Sequence, residues 1–368
     1  MCHLIYTDTF YMKRKWIRWV SWILLTPIIL FVILMVLLYV PPVQNLLRRE
    51  VTAYASKATG MQIQVERIDL RFPLNLLVRG VEVIQQPDTL LSLESLNVRV
   101  QAWPLIKGKV EVDEVTLSRV AVNSADLMEG MKIKGVLGRF FLQSHGVDLS
   151  NELAVINQVE LSDTHVQLLM NDTTTTPKDT TASAPINWKV ALHQLKLKNV
   201  SFSMQLPADS MRMAAHIGEA AIDDAQADLK NQYYDLKKFL LSGTSASYDT
   251  GTAQPAEGFD ASHIAVRDIR IALDSLLYKG RDMNAVIREF TMNERSGLSV
   301  TSLTGRAYSN DSVICVPGLK LNTPHSEIDL SAHTYWELVN IPTTGRLSAR
   351  LNACLLYTSP SPRDRTRS

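Results

Sequence analysis

From residue 61 onward the chain alternates apolar and polar positions. Met61, Ile63 and Val65 alternate with Gln62, Gln64 and Glu66, the period of a half-buried β-strand. Just upstream the period is helical. Val43, Leu46, Leu47, Val51, Tyr54, Ala55 and Ala58 share one face, with Arg48, Arg49 and Lys57 off it. That spacing predicts an amphipathic helix over residues 43–59, ended by Gly60 at the first position beyond its last turn. Two readings of this helix are open: a lid packed on the β-structure, or a helix lying on the outer surface of a membrane.

Within the β-region a compact unit recurs: two apolar residues one apart, a two-residue gap, then two more one apart. It occurs at Leu91, Leu93, Leu96, Val98 and at Val110, Val112, Val115, Leu117, the latter continuing to Val120 and Val122. It returns at Ala154, Ile156, Val159, Leu161, and at Val190, Leu192, Leu195, Leu197, continuing to Val200 and Phe202. A further copy is Ile264, Val266, Ile269, Ile271. Strict alternation through the gap would send the second apolar pair to the opposite face of the sheet. A bulge or bend at the gap returns it to the same face. The gap residues are polar, as bends prefer: Asp113-Glu114, Asn157-Gln158, Lys198-Asn199 and Arg267-Asp268.

Five loose copies, each a bent or paired strand with one apolar face, predict a mainly β fold. The expected form is an elongated, repetitive sheet over residues 61–353, a groove- or taco-like β-solenoid rather than a closed globule. About 25 strands at ~4.8 Å would make a stack of roughly 120 Å. Polar loops interrupt it at 171–185 and 250–258. The Ala- and Asp-rich stretch 211–241 fits either a helix or a strand with a long excursion.

Ahead of the helix lie 22 uncharged residues, 19–40. At about 1.5 Å per residue they are long enough to cross a bilayer core. The run exceeds the apolar stretch of a secretory signal and lacks a small-x-small cleavage site after it. It therefore predicts an uncleaved anchor, with Trp19, Ile23, Leu30, Leu34 and Leu38 in the span. Lys13, Arg14, Lys15 and Arg18 precede it, which keeps residues 1–18 cytoplasmic and exports the remainder. Met12 makes a more natural start than Met1. Residues 354–368, rich in Pro, Ser and Arg, break the β-pattern and read as a non-native tail on a fragment.

A net charge of +1 gives no electrostatic case for nucleic acid. Three cysteines, Cys2, Cys315 and Cys354, supply no disulfide framework. None of the eight histidines pairs with another at metal-ligand spacing. Neither a nucleophile elbow nor a P-loop is present, and Gly135-Val-Leu-Gly138 lacks the third glycine of a dinucleotide fingerprint. The reading is of a non-enzyme without cofactor or metal.

The basic N-region, the apolar run, Pro41-Pro42 and the helix ending at Gly60 lead into Ile63-Gln-Val65, Leu96-Asn-Val98-Arg-Val100 and a Lys107-Gly-Lys109 before a strand pair. This arrangement resembles the N-terminal region of AsmA-like envelope proteins, in particular the Bacteroidota-type members of the TamB translocation and assembly module family. The resemblance implies a single-pass bacterial inner-membrane protein with a periplasmic β-structure and an apolar groove, but no catalytic residue. It implies a role in phospholipid transport to, and biogenesis of, the outer membrane. A TamA-like outer-membrane barrel would be met through a C-terminal domain absent from these residues.

The expected groove lining is Leu96, Val98, Val110, Val112, Val115, Leu117, Val159, Leu161, Leu195, Leu197, Ile264, Val266, Ile269 and Ile271, which would hold phospholipid acyl chains. The competing reading of the same residues is an ordinary sandwich core, closed by a partner sheet. The competing function is an anchored scaffold that assists assembly or secretion of outer-membrane or surface proteins by offering strand edges. A one-span signalling protein needs a structured cytoplasmic domain, which 18 residues cannot supply.

Overall fold

A computed structural model describes residues 26, 36, 39–72, 74–85, 88–101, 104, 111–124, 130–148, 151–170, 187–251, 254–336 and 346–353. Among the described residues a 19-residue helix, α1 (Pro41–Thr59), leads into sixteen strands. These are β1 (Gln62–Arg71), β2 (Asn75–Gln85), β3 (Asp88–Val100), β4 (Val112–Asn123), β5 (Met131–Asp148), β6 (Leu153–Met170), β7 (Lys189–Leu206) and β8 (Met211–Asp228). They continue as β9 (Tyr233–Asp249), β10 (His263–Lys279), β11 (Asp282–Glu294), β12 (Ser299–Val300), β13 (Ser302–Ser309), β14 (Val313–Asn322), β15 (Ser326–Tyr335) and β16 (Arg346–Ala353). All lie in one open sheet in chain order, with only the short β12 off the path, beside β11.

Every pairing on the path is antiparallel except β6 with β7, which run parallel. The chain is thus a meander rather than the stacked coils of a solenoid. Its strands are longer and fewer than the sequence estimate of about 25. Fifteen strands on the path at ~4.8 Å spacing span roughly 70 Å along the ladder rather than 120 Å. Each recurring unit is one bent strand, not a pair. The stretch 211–241 contains no helix; it forms β8 and the first half of β9.

The four polar gaps read from the sequence all coincide with ladder irregularities. Asp113 is skipped between the pairs Arg99–Glu114 and Val100–Val112. Asn157 falls at a register shift against β5. Asn199 and Asp268 adopt left-handed backbone with φ of 52° and 55°. A residue of that conformation cannot continue an extended strand, so the chain bends there.

These bends line up across the sheet. At one level the ladder passes over Glu66, Gly80, Glu94, Arg119, Gly138, Asp163, Asn199 and Gly218 in turn, with Gly243 beside them on β9. The left-handed members of this crease are Gly80, Arg119, Asp163, Asn199 and Gly243. They sit on β2, β4, β6, β7 and β9, the strands that share one direction. The parallel pair explains why β6 and β7 both carry one.

Left-handed backbone pushes into the neighbouring strand. A Cβ on Gly138 would lie 2.7 Å from Asp163 Cβ, and one on Gly218 would lie 2.8 Å from the Gly243 carbonyl oxygen. One on Gly80 would meet Glu66 Cβ at 2.6 Å. From β1 to β9, two crossings of the crease have no glycine. There the side chains bond instead: Arg119 pairs with Glu94, and Asn199 Nδ2 donates to Asp163 Oδ1 at 2.8 Å.

Six residues away along β6 to β9 runs a second level of interruptions, through Asn157, His193, Asp224 and Lys237. Asp224 is left-handed there, with φ of 53°. Again polar side chains meet: Asn157 Nδ2 with His145 Nδ1 at 2.6 Å, and His193 Nδ1 with Asp224 Oδ1 at 3.0 Å.

Among the described residues no second layer covers the sheet. Beyond sheet neighbours and α1 against β1, no two elements make more than marginal contact among the described residues. Among the described residues seven hydrophobic ones are buried, Leu93 and Ala220 among them, and no side chain is completely enclosed.

Pro41 and Pro42 open α1, where a missing N–H costs nothing. Gly60 closes it, with φ of 70° and its N–H donating to Ser56 O at 2.9 Å. The helix attaches to the edge strand through polar groups. Gln44 Nε2 donates to Leu70 O at 3.0 Å, Arg48 Nη1 to Glu66 O at 2.8 Å, and the Ile63 N–H donates to Ser56 Oγ at 3.1 Å.

The crease predicts a graded response to added methyl groups. Gly218→Ala places a Cβ against a carbonyl oxygen and should lose about 1–3 kcal/mol in urea denaturation. Gly135→Ala, whose Cβ would meet nothing closer than 3.3 Å, should change stability by less than about 1 kcal/mol. Equal effects would show that the crease does not need its glycines.

Candidate functional site: an open apolar face

Residues paired directly across a ladder share a face of the sheet. Following the pairs from β1 gives one unbroken apolar row: Leu70, Leu76, Val98, Val115, Leu142, Val159, Leu195, Ile222, Phe239 and Leu273. It continues through Ile287, Gly305, Leu319 and Leu330 to Ala349 on β16. A second row runs beside it: Ile68, Val78, Leu96, Leu117, Phe140, Leu161, Leu197, Ala220, Leu241, Ile271 and Phe290. No charged residue enters either row. The residues between the two rows alternate to the other face and are mixed: Asn97, Thr116, Glu160 and Lys196 are polar, whereas Leu77, Phe141, Ala221, Leu240 and Ala272 are apolar.

The side chains of the first row through Leu330 are half-buried. They are shielded by neighbours along the row and not by protein above. Beyond the crease the apolar pattern resumes, and Val166, Phe202, Ala215, Ala246 and Val266 line a depression of about 390 Å³. The alanines of β8 and β9 leave the space that the flanking Val and Phe side chains frame.

The groove residues expected from sequence fall on this system as follows. Val98, Val115, Val159 and Leu195 stand in the first row. Leu96, Leu117, Leu161, Leu197 and Ile271 stand in the second. Val112 pairs with Val100 at the far end of β3. Ile269 pairs with Thr244, Val266 with Ala246 and Ile264 with Tyr248, all on the other side of the crease. Val110 lies outside the described residues. So do Lys13, Arg14, Lys15, Arg18, Trp19, Ile23, Leu30, Leu34 and Leu38, and the polar stretch 171–185. Among the described residues no helix is long and apolar enough to cross a membrane.

Sequence reading missed the contributions of β5, β8 and β9. Their signal was present with glycine in the gap: Leu137, Phe140, Leu142 around Gly138; Ile217, Ala220, Ile222 around Gly218; Phe239, Leu241, Thr244 around Gly243. Looking only for polar gaps passed over all three.

Titratable groups are placed structurally. Among the described residues no three His, Cys, Asp or Glu side chains converge in a metal-binding arrangement. The loop between β9 and β10 is tied by Asp260. Its carboxylate accepts from the Ala256 and Ser262 N–H groups at 3.1 and 2.9 Å and from His263 Nδ1 at 2.9 Å. The Ala256 and Ser262 bonds, with the histidine, hold its pKa down to about 2. No family model matches the chain, and no curated protein is significantly similar to it.

Two outcomes follow. Leu197→Asp, open to water on its face, should cost about 1–2 kcal/mol and leave the chain folded. Leu93→Ala, only 8% exposed, should cost about 2–4 kcal/mol despite adding no charge. Unfolding by Leu197→Asp in a urea titration would mean that the face is covered. Asp260 stabilises its loop fully above the ordinary aspartate range, and that contribution is lost as pH falls toward 2. Protection of the Ala256 and Ser262 amides against hydrogen exchange should drop over that interval, and should become insensitive to it in Asp260→Asn.

Proposed function

We propose that this chain is an inner-membrane anchored, periplasmic conduit for phospholipid acyl chains, of the AsmA-like, TamB type, serving outer-membrane biogenesis. Residues 19–40 form the anchor, with the N-terminus cytoplasmic. A TamA-like barrel partner would be reached through further chain. The observation that carries the reading is the pair of adjacent apolar rows. One runs from β1 to β16 and the other from β1 to β11 without a charged residue, and among the described residues no protein layer lies over them.

The energetic case is simple. Moving a two-chain lipid through water exposes about 30 methylenes at about 0.8 kcal/mol each, or roughly 24 kcal/mol. A strip of Leu, Val and Ile two rows wide removes part of that cost at every position along the sheet. Because the rows are uniform, no single site holds the lipid strongly enough to stop it. The alternating face, with Glu160 and Lys196, keeps the structure in water.

Photo-crosslinking residues placed at Val98, Val112 or Val266 should capture phospholipid in cells, and the same residue at Arg99 or Glu111 should not. Equal capture at both sets, or none at either, removes the proposal. Capture of polypeptide at Val98 and Val112 instead would favour the scaffold function.

A further inference from the structure

We infer that α1 lies flat on the bilayer surface, with its outward apolar side in the lipid, and so sets the first strand of the sheet at the headgroup level. This rests on the reading of residues 19–40 as a membrane anchor and extends it to the helix that follows.

The inference comes from how α1 docks. Gln44, Arg48, Thr52 and Ser56 follow one another four residues apart and form one stripe of the helix. Three of them bond β1 directly, and Thr52 Oγ1 donates back to Arg48 O at 2.7 Å. The helix therefore uses its polar stripe on protein, the reverse of what a lid over an apolar core would do. Three of its large apolar residues are left outside. Tyr54 is 77% exposed, Leu46 58% and Val51 52%.

This exposure is concentrated. Among the described residues seven large hydrophobic side chains are more than half exposed, and five of them, Val36, Leu46, Val51, Tyr54 and Phe72, lie between residues 36 and 72. Phe72 at the end of β1 touches Tyr39, with ring centroids 6.4 Å apart. Tyr39 belongs to the uncharged run that leads directly into α1. A bilayer is the occupant that this continuity selects. The chain emerging from an apolar span meets Pro41-Pro42, turns, and presents aromatic and aliphatic residues at interfacial depth. Lys57 and Glu50 lie between Leu46 and Tyr54 on that side, Glu50 four residues from each; both are exposed, and their apolar stems lie along the interface while their charged ends reach the headgroup water.

The consequence for transport is positional. β1 carries the first members of the apolar rows, Ile68 and Leu70, and α1 is bonded to that strand. A helix lying in the interface brings those residues to the acyl-chain boundary, where a lipid can pass from bilayer to sheet.

The test uses the full chain in phosphatidylethanolamine–phosphatidylglycerol liposomes, with Cys2, Cys315 and Cys354 replaced by serine. Single cysteines at Tyr54 or Val51, and at Arg49 on the opposite flank, carry an environment-sensitive fluorophore. Nitroxide on shallow acyl positions should quench Tyr54→Cys and Val51→Cys severalfold more strongly than Arg49→Cys. Equal quenching on both flanks, or none, overturns the inference. So does oxidative crosslinking of Tyr54→Cys between two copies without quenching. Failure of the chain to float with liposomes overturns both the anchor and the helix placement. Quenching at Tyr54 together with absence of lipid capture at Val98 leaves α1 in the membrane and removes the conduit alone.

Discussion

A side chain in a single-layer sheet can lose water only to its neighbours along the ladder. Everything else in this protein follows from that restriction. Cross-strand neighbours contribute about 0.2–1 kcal/mol each, so the sheet holds together by repeating such contacts over fifteen strands rather than by filling a core. A one-residue slip anywhere would move a strand's apolar set to the wet face and break both rows at once. The same restriction leaves the apolar side uncovered. What stabilises the fold and what the proposed lipid path would use are therefore one set of residues, seen along the sheet and from above it.

Bending such a sheet is harder than twisting it, because every strand must turn at the same level without losing its partners. The crease meets this demand locally. Left-handed backbone costs a non-glycine residue about 1–2 kcal/mol, and from β1 to β9 the crease places it on strands of one direction. The neighbour yields space with glycine, as at Gly138 and Gly218. Where neither residue is glycine, the two side chains bond each other, as Asn199 does with Asp163. The edge strand has a different need, since its backbone lacks a partner on one side. The side chains of α1 supply it, which also keeps foreign strands from pairing there.

Much of this was legible in the residues. Helix α1 and its glycine stop were readable because period and terminator agree. The bent strands were readable from the two-residue gap, since Asp113, Asn157, Asn199 and Asp268 are polar and sit where the apolar phase changes. Strand number was not readable, because the gap divides one long strand into what looks like two short ones. The Ala-rich β8 was ambiguous because alanine favours helices on its own, and only its pairing with β7 and β9 decides the matter. The lateral rows were hidden, since register between strands depends on turns that carry no apolar signal. The docking of α1 by its polar stripe was hidden too. Amphipathicity says which side is greasy, not which side the protein uses.

The lone parallel pairing, β6 with β7, bears on how such a protein changes size. Among the described residues strands on the path make more than marginal contact only with their ladder neighbours, α1 and β12, so a hairpin inserted into the meander adds two rungs, about 10 Å, and disturbs little beyond the junction. Growth in twos preserves the alternation of direction on which the crease depends. Gain or loss of a single strand does not, and the mismatch must be absorbed where two strands run the same way. The β6–β7 junction is the place in this sheet where two consecutive strands run the same way, and so the place where a change of parity can be absorbed.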